Sequence, residues 1–259
     1  METRPVSSTA TWLVQPAPRP EAAARLLCLP YGGGGAAVYR PWSALLPAEI
    51  ELNLVQLPGR ESRLREQPHT RLQSLLEALT PAVMEKTDRP YALFGHCMGA
   101  LIVFELARAL RRMGAPAPAV LFVSGRRAPH LPDPDPPLHP LADVQFLRTI
   151  IRRYNGIPRV ILEDAELLRL FLPTLRADME LIETHTHAQE APLNCPIVAL
   201  GGIEDARAGV DALAAWHEHT SGNFQMQQFP GDHFYLQNER DALIKLITAA
   251  LHQSMHRVA

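Results

Sequence analysis

The chain has 259 residues, of which 47% are hydrophobic and 20% are charged, so it can bury a complete globular core. The formal net charge of −2 predicts no general attraction to nucleic acid or to anionic membranes. Three cysteines without a Cys-x-x-Cys pair argue against a disulfide framework and against a zinc site. No apolar run approaches the roughly 18–20 residues of a membrane span, and the first twenty residues lack a signal-peptide pattern. We therefore expect a soluble cytoplasmic protein.

Short apolar runs alternate with longer amphipathic segments along the chain. Strands separated by helices are typical of a parallel sheet, so this order predicts an α/β fold with helices on both faces of a mostly parallel sheet. Helices are predicted at residues 70–86 and 98–113. The six predicted strands are residues 25–30, 51–57, 91–95, 119–125, 195–202 and 224–231.

The segment between the fourth and fifth predicted strands lacks strand character. Two stretches in it, LADVQFLRTIIRRYNG and DAELLRLFLPTLRADMELIETH, carry apolar residues at the three-to-four spacing of amphipathic helices. We predict a helical insertion over the sheet at about 140–190, inside a single domain of residues 1–259. Ordinary peripheral helices explain the same periodicity about as well.

The pentapeptide GHCMG at residues 95–99 follows a predicted strand and begins a predicted helix, which is the context of a nucleophile elbow. Glycines two residues either side of the centre allow a strained turn and a close approach of helix to strand. The central residue, Cys97, is the candidate nucleophile. The alternative is a small buried apolar residue, an interpretation that fits Cys28 and Cys195 well.

A nucleophile needs a base and a group that orients the base. Glu204 and Asp205 follow the fifth predicted strand, and His233 follows the sixth after a Pro-Gly turn. The order nucleophile, acid, histidine is that of α/β-hydrolase enzymes, and all the positions lie at carboxyl ends of strands, where open α/β sheets place their sites. The sequence therefore predicts a triad, with one of the two carboxylates serving His233.

The glycine-rich loop at residues 30–35 lacks the Gly-Lys-Ser/Thr of a phosphate loop. We predict that a backbone N–H of this loop, together with that of Met98, stabilises a developing oxyanion. A flexible turn is the alternative.

Histidines elsewhere raise the question of a metal site. His185 with His187, and His217 with His219, have glutamates nearby, but neither pair has the spacing of a known ligand motif. We predict solvated histidines at these positions and no metal. His96 could line the site, but its place beside the nucleophile makes it a poor base.

Nearly the whole chain resembles the stand-alone type II thioesterases of nonribosomal peptide and polyketide assembly lines. The resemblance implies an α/β-hydrolase fold with a helical lid, a triad of Cys97, Asp205 and His233, and oxyanion donors at Gly32 and Met98. Cysteine replaces the family's usual serine at position 97, and Gly32 stands where alanine is common. The resemblance rests on LLCLPYGGGGAAVYRPW, VQLPGRESRLREQP, LFGHCMGALIVFELARAL, SGRRAPHLP, LPTLRADMELIET, CPIVALGGIED and FPGDHFYL.

The resemblance implies substrates that are acyl groups held as thioesters on the phosphopantetheine arm of acyl or peptidyl carrier proteins, with no cofactor of the enzyme's own. Attack by Cys97 makes another thioester, which an incoming thiol readily reverses. The resemblance favours an editing hydrolase, which removes stalled or wrongly loaded acyl groups from carriers. The alternative is a transferase that moves acyl or aminoacyl groups between carriers, for which cysteine-bearing relatives are a precedent. A non-catalytic carrier-binding protein and an engineered serine-to-cysteine substitution are further alternatives.

Carrier proteins are generally acidic, so basic residues are candidates for carrier docking. Solvated or paired helix charges are the alternative interpretation of the same residues. A monomer is the default expectation. The basic candidates are Arg126, Arg127, Arg148, Arg152 and Arg153.

Overall fold

The computed structural model describes residues 12–154 and 156–258, and the prediction of no signal peptide falls largely on residues 1–11, outside the described residues. Within the described ranges, seven strands form one sheet in the order β1-β3-β2-β4-β5-β6-β7. The strands are β1 (Leu13–Val14), β2 (Ala24–Leu29), β3 (Ile50–Val55), β4 (Tyr91–His96), β5 (Val120–Ser124), β6 (Ile197–Gly202) and β7 (Phe224–Phe229).

Helices cover both faces of the sheet. α1, α2 and the carboxyl-terminal half of α5 contribute to the core on one face, whereas α7 and a 3-10 helix at Ala36–Ala44 contribute to the core on the other. The α-helices in the described part of the chain are α1 (Leu72–Met84), α2 (Met98–Arg112), α3 (Asp143–Tyr154), α4 (Arg159–Glu163), α5 (Ala165–Glu183), α6 (Val210–Ala214) and α7 (Arg240–Val258).

The strands β2 to β7 pair in parallel, and only β1 is antiparallel to its neighbour β3 among the described strands. Every residue of β2 to β6 is buried, as expected for strands covered on both faces. The prediction of an α/β-hydrolase fold with a mostly parallel sheet is therefore confirmed. The six predicted strands are present with ends shifted by up to two residues, whereas β1 was not predicted because two residues are too short for a periodic pattern.

The segment between β5 and β6 contains three helices, α3 to α5, where two amphipathic stretches were predicted. The side chain of Asp164 begins α5 by accepting hydrogen bonds from the backbone N–H groups of Glu166 and Leu167. The inner face of α5 is buried toward the carboxyl end of the sheet through Leu175 and Met179. This insertion therefore covers the end of the sheet at which the candidate residues lie.

Among residues 12–154 and 156–258, no helix combines the length and the apolar character needed to cross a membrane.

Candidate active site

Cys97 occupies a strained turn between β4 and α2. Its backbone has φ 53° and ψ −110°, a left-handed conformation that a non-glycine residue rarely adopts. The turn is fixed because the Cys97 N–H donates to the carbonyl of Ser124 at 2.8 Å. A Cβ on Gly95 would overlap the carbonyl oxygen of Gly99, and one on Gly99 would overlap that of Leu29. The spacing of the two glycines is thus required by the turn that presents the thiol.

His233 and Asp205 form a buried hydrogen-bonded pair. Nδ1 of His233 lies 2.8 Å from Oδ2 of Asp205, and the two residues are only 4% exposed. This bond fixes the tautomer in which Nδ1 carries a proton and Nε2 is free to accept one. Nε2 is buried and makes no hydrogen bond with any described residue. The imidazole therefore has the arrangement of a general base whose second nitrogen awaits a proton.

The structure shows which of the two candidate carboxylates, Glu204 or Asp205, contacts His233. Asp205 is buried and also accepts a hydrogen bond at Oδ1 from the backbone N–H of Arg207, at 2.9 Å. Glu204 is exposed. Asp205 alone of this pair can orient His233.

Cys97 and His233 shift each other's titration in opposite directions. Burial acts to raise the pKa of the Cys97 thiol, but the positive charges of His233 and Arg126 and the Met98 N–H outweigh it, so the pKa is lowered. Burial acts to lower the pKa of His233, but the Cys97 thiolate and the Asp205 carboxylate raise it. A thiolate beside an imidazolium is therefore favoured at pH values between the two shifted pKa values.

Alkylation by iodoacetamide should report this pair. Because the thiolate is the reacting form, the rate at Cys97 is expected to rise with pH through a midpoint below the ordinary thiol pKa of 9.0. His233→Ala removes the stabilising charge, so the midpoint should move upward and the rate at pH 7 should fall by about tenfold or more. Peptide mass spectrometry after timed alkylation measures both quantities.

The exposed His217 offers the matched control, since His217→Ala should leave the alkylation profile unchanged. Cys28 and Cys195 should stay unmodified because burial raises the pKa of each thiol. An identical slow profile in the wild type and in His233→Ala would contradict a paired thiolate.

His96 is buried behind the ring of His233 and does not line either cavity of the site. It is fully buried, its ring centroid lies 4.9 Å from that of His233, and its Nδ1 lies 2.8 Å from the hydroxyl of Ser124. That hydroxyl is in turn 2.7 Å from the hydroxyl of Tyr235. Burial and the nearby charge of His233 lower the pKa of His96, so it stays neutral. The expectation that His96 could line the site is wrong, because its side chain lies in a buried polar chain underneath.

The two predicted oxyanion donors lie near the thiol. Gly32 lines the same cavity as Cys97, and Met98 follows Cys97 as the first residue of α2. The loop that carries Gly32 turns sharply, with the Gly34 N–H donating to the carbonyl of Tyr31 at 2.9 Å and with Gly33 at φ 76°. The role of these two backbone N–H groups as oxyanion donors stays a prediction.

A buried ion pair fixes this glycine loop to the insertion. Asp178, on α5, makes two hydrogen bonds with the Arg60 guanidinium, at 2.7 and 2.8 Å. The same carboxylate accepts the Gly33 N–H at 2.7 Å, and Arg60 donates to the carbonyl of Gly34 at 3.0 Å. We name Arg60, Asp178, Gly33 and Gly34 the loop anchor. No local sequence pattern could have predicted the loop anchor, because Arg60 and Asp178 are 118 residues apart.

Asp178→Ala is expected to lower the free energy of unfolding by about 3–5 kcal/mol, because it leaves the Arg60 guanidinium buried without a partner. Glu180→Ala, on the same helix, removes an ion pair with the exposed Arg71 and should cost only about 0–1 kcal/mol. Urea unfolding of the two variants and the wild type measures the difference. Equal small losses in both variants would show that the loop anchor contributes no more than a surface ion pair.

Two chambers meet at Cys97. A polar chamber of about 480 Å³ is lined by Cys97, His233 and several charged side chains. An apolar chamber of about 210 Å³ is lined by the glycine loop and by apolar side chains of the insertion such as Leu175. Tyr154 and Cys97 border both chambers. A substrate can therefore extend from the thiol in two directions.

Of the four histidines interpreted as solvated, only His217 is exposed. His219 is partly buried against His130. His185 and His187 are also partly buried, and their ring nitrogens lie 3.6 and 4.0 Å from Oε1 of Glu105. These three side chains could approach a metal ion, with their donor atoms within 4.8 Å of one another. The same carboxylate oxygen already accepts a hydrogen bond from Arg108 at 2.8 Å, so a cation would meet a positive charge there. The absence of a metal site stays a prediction.

The basic residues considered for docking fall into two groups. Arg148 and Arg152 are exposed on α3, whereas Arg153 donates to the carbonyl of Pro136. Arg126, Arg127 and Arg153 line the polar chamber that also contains Cys97.

Comparisons with known proteins agree on one family. The sequence model of the thioesterase domain family matches residues 24–251. Linear gramicidin dehydrogenase LgrE of Brevibacillus parabrevis is 42% identical over 247 residues, covering 94% of each chain. Gramicidin S biosynthesis protein GrsT of Aneurinibacillus migulanus is 40% identical over 246 residues, covering 95% of this chain and 96% of the relative. The solved structure of the type II thioesterase BorB from the borrelidin biosynthetic cluster is similar, with a TM-score of 0.85 and 37% identity over 93% of this chain and 98% of that one.

Proposed function

Because the chain belongs to the thioesterase family, and to its type II members from nonribosomal peptide and polyketide pathways, we propose that it hydrolyses acyl thioesters through Cys97, His233 and Asp205. Its activity is that of a thioester hydrolase. The substrates that we propose are acyl groups on the phosphopantetheine arm of carrier proteins, and the physiological role is removal of stalled or misloaded groups. The reaction uses protein groups, water and the carrier's own thioester, with no further cofactor.

In the first half of the reaction, His233 holds the proton of the Cys97 thiol on Nε2 and the thiolate attacks the thioester carbonyl. The negative charge that develops on the carbonyl oxygen is stabilised by the N–H groups of Gly32 and Met98. The tetrahedral intermediate then releases the pantetheine sulfur, which takes the proton from His233. The product is an acyl group joined to Cys97 by a new thioester bond.

In the second half, His233 accepts a proton from water, which attacks the acyl-enzyme carbonyl. The Cys97 sulfur leaves as a thiolate and recovers the ion pair with the imidazolium, while the acid departs. Asp205 stays ionised throughout and stabilises the imidazolium that forms in each half.

The observation that carries this proposal is the buried Asp205–His233 pair at 2.8 Å, facing a cavity that also contains a thiol held in a left-handed turn. A binding protein would gain nothing from the strained backbone of Cys97, which costs on the order of 1–3 kcal/mol. The polar chain beneath His233 likewise supports a ring that must hold one orientation.

A second candidate function is acyl transfer from one carrier to another. It is favoured by the sulfur of Cys97, because a thioester intermediate is close in energy to the substrate and reacts readily with an incoming thiol. Hydrolysis and transfer share the first half of the reaction and differ only in whether water or a thiol attacks the acyl-enzyme.

Intact mass spectrometry of a three-protein mixture distinguishes the two. The mixture contains this protein, an acyl-loaded carrier and a second carrier with a free pantetheine thiol, and the matched control replaces the protein with Cys97→Ala. We expect free acid and an unloaded second carrier. Acyl mass on the second carrier before free acid appears would establish transfer instead.

Acyl mass that stays on the enzyme would point to a trapped intermediate, and Cys97→Ser should then restore turnover. No adduct, no acid and no transfer would leave only carrier binding.

A further inference from the structure

Arg126 and Arg127 are two partly buried residues whose guanidiniums make no hydrogen bond or ion pair with any described residue. Both line the polar chamber, and the Nε atom of each is buried without a hydrogen bond. Neither side chain forms an ion pair within residues 12–154 and 156–258, although most of the other arginines there do. A buried charge without a partner is costly unless a ligand supplies the opposite charge.

The carboxylates of the same chamber are already occupied. Asp133 pairs with Arg207 at 3.1 Å, and Asp135 pairs with Arg207 and with Arg153. Glu183 accepts two backbone N–H groups and lies 2.7 Å from Nδ1 of His139. The chamber lining therefore has a surplus of positive charge, and Arg126 and Arg127 carry it.

Hydrogen bonds to neighbouring elements hold the backbone segment that carries the two arginines. The Gly125 N–H donates to the carbonyl of Leu200 at 2.8 Å, and the indole of Trp216 donates to the carbonyl of Arg126 at 2.8 Å. The Ala128 N–H donates to the carbonyl of Ala212 at 3.1 Å. These hydrogen bonds lie before, at and after the two arginines, so the backbone at this segment is held in place.

We propose that Arg126 and Arg127 form an anion subsite that binds a carboxylate on the acyl group of the substrate, so that the enzyme prefers thioesters of dicarboxylic acids. The proposal rests on the proposed thioesterase function and adds a substrate class to it. Two guanidiniums suit a carboxylate because each can donate parallel hydrogen bonds to its oxygens.

The phosphate of the carrier arm is the other anion on such a substrate. Arg126 and Arg127 line the same chamber as Cys97, whereas the phosphate is separated from the thioester by the full length of the pantetheine arm. An acyl carboxylate lies a few bonds from the attacked carbonyl, so it can stay within this chamber.

The test compares glutaryl and pentanoyl N-acetylcysteamine thioesters, which have acyl chains of equal length and no phosphate. Release of free thiol gives kcat/KM for each, and their ratio is the readout. The wild type is expected to prefer the glutaryl thioester by about tenfold to hundredfold, the range of charge-assisted hydrogen bonds. Arg127→Gln should lower that ratio by about tenfold. Arg65 is exposed and does not line the chamber, so Arg65→Gln should leave the ratio unchanged.

Turnover of pentanoyl thioester with no glutaryl preference would overturn the subsite and leave the thioesterase function intact. Absence of turnover for both thioesters, with acyl carriers also inert, would instead remove the function on which it rests. A second series uses pentanoyl groups on pantetheine and on phosphopantetheine. If Arg127→Gln impairs only the phosphorylated substrate, the bound anion is the phosphate and the carboxylate proposal is wrong.

Discussion

Cys97→Ala is expected to abolish the acyl-enzyme and to lower kcat for acid release on the order of 10⁶-fold, as loss of a nucleophile does in triad hydrolases. Alanine keeps the small size of the residue at the elbow, so the turn should persist while its reactive atom is lost. The measurements are the mass of the enzyme after brief mixing with an acyl-loaded carrier and the rate of acid release. Circular dichroism establishes that the variant is folded.

Cys195→Ala is the matched control for Cys97→Ala. The substitution removes a thiol that lies outside both chambers. Burial raises the pKa of this thiol to about 12. The covalent adduct and its rate of formation should be preserved. An adduct on Cys97→Ala at the wild-type rate would place the nucleophile elsewhere.

Asp205→Asn is expected to lower kcat/KM on the order of 10⁴-fold, the size of the loss when a triad aspartate is amidated in a serine protease. An amide at this position can offer an N–H to Nδ1 of His233, so the ring would adopt the tautomer that places its proton on Nε2. That tautomer cannot take the thiol proton from Cys97. Steady-state kinetics with one acyl thioester, together with the thermal midpoint of each protein, separates this effect from misfolding.

Glu204→Gln provides the comparison for Asp205→Asn, because the two residues are adjacent in the chain but only Asp205 contacts His233. An exposed side chain without a role should change kcat/KM by less than about threefold. If Glu204→Gln were the damaging change, the orientation of His233 in solution would differ from the bond described here.

The elements that could be predicted from the sequence are those with a local signal. The strand before Cys97 is an apolar run, α2 has apolar residues at helical spacing, and the glycines at 95 and 99 mark the turn between them. Parallel strands present their carboxyl ends together, so residues 205 and 233 could be expected near the thiol without knowledge of the packing. The choice between Glu204 and Asp205 required the structure, because both follow β6 and only side-chain direction separates them.

The features that could not be predicted depend on contacts between distant segments. His96 looked like a lining residue because of its position in the elbow, but a hydrogen bond to Ser124 directs it into the interior. Arg126 and Arg127 are candidates for carrier docking because carrier proteins are generally acidic, but the structure places both in the lining of the polar chamber. In each case, contacts with a distant part of the chain decide where the side chain lies, and no local pattern reports them.

The loop anchor has a consequence for how the molecule assembles during synthesis. Gly33 and Asp178 are 145 residues apart, and Arg60 and Asp178 are 118 residues apart, so the glycine loop lacks its partner until α5 has left the ribosome. Contacts of such long sequence separation require closure of a large part of the chain and form late in folding. A nascent chain can thus complete the first strands and the elbow while its glycine loop is still unfixed. Competence to bind an acyl thioester should therefore be among the last properties that the folding protein acquires.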